Sequence, residues 1–120
     1  MDDKSIVTNS DVERVEKVFN KYLISCDELW IASPFFSNSD LLIKIINRSI
    51  SVKVLVGLQY PTSPSLLRSL LKNRKALIVT KFYDARFHSK VYIFLKNRIP
   101  LAALVGSSNF TEGGMSTNIE

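Results

Sequence analysis

Three short apolar runs, each preceded by a segment with helical spacing, limit this chain's folds more than any other feature. The runs are Leu29–Ala32, Val52–Gly57 and Ala76–Thr80. Before the first, Val12, Val15, Val18, Phe19 and Tyr22 recur at helical intervals behind Asp11, a good N-cap. Before the second, Leu41, Leu42, Ile45 and Ile46 follow Ser39 or Asp40, either of which is expected to cap. Before the third, Pro64 opens a segment bearing Leu66, Leu67, Leu70 and Leu71. The pattern then changes. His88–Leu95 and Leu101–Val105 read as two strands joined by the polar turn Lys96-Asn97-Arg98, an antiparallel hairpin. The order α-β-α-β-α-β-β-β predicts an α/β fold: a mixed β-sheet flanked by helices.

Size and composition agree with a single domain over residues 1–120. A hydrophobic share of 46% with 22% charged residues is ordinary for a globular protein. Cys26 stands alone, which removes an internal disulfide or a cysteine-rich zinc site, and it reads as a packed thiol at a helix end. Met1-Asp2-Asp3-Lys4 lacks the basic and apolar regions of a signal peptide. No apolar run approaches the roughly 20 residues that span a bilayer. A cytoplasmic, reducing location without membrane contact is the expectation. Thr117-Asn118-Ile119-Glu120 reads as the start of a further element, so the domain is expected to be incomplete at its C-terminal end.

The net charge of +5 is unevenly spread. Between Arg68 and Arg98 the sole acid is Asp84, among Lys72, Arg74, Lys75, Lys81, Arg86, Lys90 and Lys96. Such a block attracts a polyanion, and equally it describes a solvated helix face with loop charges.

His88 is the only histidine. His88 and Lys90 lie two apart on an expected strand and share a face, while Val91, Ile93 and Leu95 are expected to face the other way. The following strand ends in Gly106-Ser107-Ser108-Asn109. Together they supply a nucleophile, a cation, and hydroxyl and amide donors, a set suited to a phosphodiester. Taken singly each has a plainer reading: a satisfied strand histidine, a snorkelling lysine, a turn. If the chemistry also needs a proton donor, one histidine is too few and a second copy must supply the other. Trp30 is expected in the core among its apolar neighbours, as are Phe35-Phe36 and Phe82-Tyr83 in the core or at its rim.

The ordered pieces His88-Ser89-Lys90, Gly106-Ser107-Ser108-Asn109 and Asn118-Ile119-Glu120 resemble the signature of the phospholipase D superfamily. Within it, the nuclease branch is most similar, above all the phospholipase D-like domains of metal-independent restriction endonucleases. One position departs: where the family's His-x-Lys-x4-Asp has aspartate, this chain has Leu95.

The resemblance implies a two-step displacement at phosphorus in DNA. His88 of one copy would form a covalent phosphohistidine, and His88 of the other would protonate the leaving oxygen and then activate water. Lys90 and Asn109 would hold the nonbridging oxygens, Ser107 would add a hydroxyl donor, and Glu120 would orient the His88 ring. It further implies a homodimer with the site on its two-fold axis. No cofactor and no metal are expected. Two other readings stay open: a lipid phosphodiesterase, and a non-catalytic fragment that binds nucleic acid through the basic block.

Overall fold

The computed structural model describes residues 15–35, 37–57, 62–72, 76–81 and 90–106. They form helix α1 (Val15–Leu23), strand β1 (Glu28–Ser33), helix α2 (Ser39–Arg48), strand β2 (Ser51–Gly57), helix α3 (Pro64–Leu71) and strands β3 (Ala76–Lys81), β4 (Val91–Lys96) and β5 (Ile99–Val105). The sheet is five-stranded in the order β3-β2-β1-β4-β5. β1, β2 and β3 run parallel, and β4 and β5 return antiparallel, so the sheet is mixed. The expected α/β architecture is the one observed.

The direction of the crossovers decides where the helices go. β1 to β2 to β3 steps the same way across the sheet twice, through α2 and then α3. Because such connections are right-handed, both helices fall on one face. That face holds the core. Leu29 and Ile31, Val52, Val54 and Val56, Tyr92 and Phe94, and Ala102 pack beneath Phe19, Leu41, Leu42, Ile45, Leu67 and Leu70. α1 sits over β4, where the Phe19 ring meets Tyr92 edge-on at 5.6 Å and Phe94 at 5.1 Å. Each such aromatic pair adds about 0.5–1.5 kcal/mol beyond simple burial. Cys26 is packed as expected, its thiol against the Leu23 carbonyl at 3.5 Å. Burial holds that thiol above its ordinary pKa.

The other face of the sheet corrects the expectation for Trp30. Along β1 the residues alternate, with Leu29, Ile31 and Ser33 inside. Trp30 is therefore not core but 39% exposed. Its indole N–H donates to the Glu28 carboxylate, and the Lys53 ammonium lies 5.0 Å from its ring. Lys53 also pairs with Glu28 at 3.6 Å. Trp30, Ala32, Leu55, Val91 and Ile93 line a shallow groove of about 350 Å³ on this face.

Element ends differ in detail. α2 is capped by Asn38, whose side-chain oxygen accepts from the Leu41 N–H at 3.1 Å, so the cap is neither Ser39 nor Asp40. The cap sits one residue earlier because an extended Asn38 places its carboxamide over the first turn. The β4–β5 turn is tighter than expected: Asn97 and Arg98 both have positive φ (51° and 65°), the signature of a two-residue type I′ hairpin. The pairing shifts between Phe94 and Leu95, where β5 carries Leu101 as an extra residue; Leu95 keeps its place opposite Glu28, in step with Val91 and Ile93, and is buried there. Asp11 and Val12 of the first expected helix lie outside the described residues.

Candidate active site

The register gathers several strand ends at one edge of the sheet. Ser33 pairs with Val56, Val56 with Thr80, and Gly57 with Lys81, so the parallel strands finish together. Ala32 pairs with Val91, and Val91 with Val105, so β4 begins and β5 ends at that same edge. Open α/β sheets place their ligands outside the carboxyl ends of parallel strands.

Lys90 stands at this edge, half-buried, immediately before β4. It is therefore not inside a buried strand but at the mouth of one, where an ammonium keeps part of its hydration. Its carbonyl accepts from the Gly106 N–H at 3.1 Å. This single bond continues the β4–β5 ladder and sets the start of Gly106-Ser107-Ser108-Asn109 beside the end of His88-Ser89-Lys90. Of the sequence-expected residues, His88, Ser107, Asn109 and Glu120 lie outside the described residues. Leu95 belongs to the opposite edge, five residues along β4 from Lys90, or about 17 Å at strand spacing. Its carbonyl accepts from Asp27 N–H at 2.9 Å there.

The sequence reading missed the polar group that holds this edge together. Ser33, Asn38 and Thr62 are buried, and all three lie at or near the turn that follows β1. The Ser33 hydroxyl donates to the Phe35 carbonyl at 2.7 Å. The Pro34 carbonyl accepts twice, from Gly57 N–H at 3.2 Å and from the Thr62 hydroxyl at 3.4 Å. A Cβ on Gly57 would lie 2.6 Å from that same carbonyl oxygen. Ser33-Pro34 and the terminal Gly57 were the available signals: a strand that stops at Ser-Pro, and another that ends on glycine.

Of the basic block, Lys81 and Lys90 stand at this edge, while Lys72, Lys96 and Arg98 lie away from it. α3 must run from the site edge, where β2 ends, to the opposite edge, where β3 begins. Lys72 follows its C-terminal end, and Lys96 and Arg98 flank the hairpin turn at the far end of β4. All three are exposed and far from Lys90 along the strand direction.

Comparison with solved structures finds the same fold elsewhere. The crystal structure of a phospholipase D family member, Nuc from Salmonella typhimurium, superposes with a TM-score of 0.65 at 17% identity, over 86% of this chain and 69% of that one. Polyphosphate kinase from Porphyromonas gingivalis matches with a TM-score of 0.55 at 20% identity, over 82% of this chain but only 18% of its own. At these identities the likeness is one of fold. Residues 13–120 match the family described as NgoFVII restriction endonuclease N-terminal PLD domain, and the chain belongs to that family. None of the curated proteins matches it. Among the described residues, no helix is long and apolar enough to cross a membrane.

Proposed function

We propose that this chain is a phosphodiesterase domain that cleaves DNA without a metal ion, through a covalent phosphohistidine on His88. The observation that supports the reading is the Gly106 N–H to Lys90 carbonyl bond, which puts Gly106 beside Lys90 at the carboxyl edge of the sheet. Family membership adds the nuclease class, since the matched family is a restriction endonuclease domain.

In this mechanism His88 attacks phosphorus in line with the leaving oxygen. Lys90 and Asn109 neutralise charge on the nonbridging oxygens as it redistributes, and Ser107 donates a further hydrogen bond. Glu120 holds the His88 ring through its other nitrogen. A second His88 protonates the leaving oxygen, then removes a proton from the water that releases the phosphoenzyme. With one histidine per chain, that second group comes from a partner copy across a two-fold axis.

The test is cleavage of plasmid DNA in excess EDTA by the purified protein and by His88→Ala. The expected outcome is EDTA-resistant cleavage by the first and none by the second, with an acid-labile, alkali-stable label on the wild-type chain when end-labelled DNA is quenched early. Equal cleavage by both proteins would falsify the proposal.

A further inference from the structure

We infer that Ser33 is a positioning residue for the Lys90 ammonium, an inference that rests on the phosphodiesterase reading above. Ser33 is the last residue of β1, and Ala32 pairs with Val91. That pair closes the ladder, so Ser33 and Lys90 are the next residues beyond it, one on each strand. They share a face as well. Ser33 continues the inward row of Leu29 and Ile31, and Lys90 continues that of Tyr92 and Phe94.

The chemistry of the pair is complementary. Lysine has three donors and no acceptor, whereas a hydroxyl has one proton and two lone pairs. The Ser33 proton is directed to the Phe35 carbonyl, at 2.7 Å, so towards a cation the hydroxyl can act only as an acceptor. The hydroxyl is also held in place. It is fully buried, and the next carbonyl along is tied down by both Gly57 and Thr62.

Asn38 and Thr62, the other buried polar side chains among the described residues, have structural work that accounts for them: one caps α2 and the other bonds Pro34. Of the three, Ser33 alone follows directly on the β1 residue that pairs beside Lys90. A neutral acceptor suits the task, because it steers the ammonium without cancelling the charge that a phosphate oxygen is to feel. A free lysine side chain carries about 2 kcal/mol of rotamer entropy, which such an anchor removes before substrate arrives. Ser33 itself makes and breaks no bond in the reaction.

The experiment compares wild type, Ser33→Ala and Ser33→Cys in steady-state DNA cleavage, in thermal melting, and in 15N-resolved NMR of the Lys90 ammonium. Cysteine keeps the side chain's shape but is a weak acceptor. Both variants are expected to melt as cooperatively as wild type and to lose kcat by about ten-fold or more with KM little changed, as small misplacements of reacting groups do. The Lys90 ammonium is expected to reorient faster in both. In a Lys90→Ala background, Ser33→Ala is expected to cost nothing further.

If Ser33→Cys cleaves like wild type, the residue serves packing alone and the inference is overturned. If wild type cuts no DNA, the functional reading fails. The ammonium dynamics then decide by themselves: equal motion in all three proteins overturns the role of Ser33, and faster motion in both variants upholds it.

Discussion

A single absent methyl group at Gly57 sets how closely β2 approaches the turn after β1. A side chain there would press a Cβ to 2.6 Å from the Pro34 carbonyl oxygen, which is backbone and already bonded to Gly57 N–H. Neither partner can yield without breaking that bond. Gly57→Ala is expected to destabilise the fold by about 1–3 kcal/mol, the usual cost of forcing atoms into a filled site. Gly106 makes a useful control. Among the described residues, a Cβ at that position meets nothing within 4 Å, so Gly106→Ala is expected to unfold at the wild-type midpoint. Urea denaturation of the two variants reads both outcomes, and equal midpoints would show that the close approach is relieved elsewhere.

Among the elements, the β4–β5 hairpin has the clearest local conflict. Asn97 and Arg98 both adopt positive φ, which asparagine tolerates and arginine does not. The turn survives because the strands on either side are well paired and Asn97 N–H bonds the Asp27 carboxylate at 3.1 Å. Arg98→Gly is expected to stabilise the protein by about 1 kcal/mol, the cost of a left-handed residue with a Cβ. Melting temperature checks this, and a fall would mean that the arginine side chain contributes more than its backbone costs. The tight turn was legible as a polar break, but its type was not, since Asn-Arg lacks the glycine that marks a type I′ loop. The α2 cap was likewise one residue away from the expected Ser39 or Asp40, because three polar residues in a row compete and only the entering backbone angle chooses among them.

At the scale of the molecule, two of the basic residues, Lys96 and Arg98, stand apart from the site. The protein measures 34 × 32 × 25 Å, and Lys96 and Arg98 lie at the opposite edge from Lys90. With a Debye length of about 8 Å at physiological salt, their field is largely screened before it reaches the site. Lys96→Gln with Arg98→Gln is expected to leave both kcat and the salt slope of DNA cleavage unchanged. A shallower slope in a plot of log kcat/KM against log salt would instead place DNA across the far edge. The sheet has two unequal faces as well. α1, α2 and α3 cover one, while Trp30, Ile93 and Leu55 line a groove on the other.

The sequence alone determined the element order, the mixed α/β sheet and the pairing of β4 with β5. Those follow from periodicities of two and 3.6 and from turn residues, all of them local properties of the chain. It also pointed to His-x-Lys and Gly-Ser-x-Asn as the candidate site, because together they bring a nucleophile, a cation and hydrogen-bond donors in the order of a known family signature. Tertiary structure decided what no local pattern carries: that the crossovers turn the same way and leave Trp30 outside, that Leu95 lies a strand's length from Lys90, and that β1 ends beside the start of β4. Each of these depends on register and handedness between strands far apart in sequence, where a shift of one residue would reverse every face.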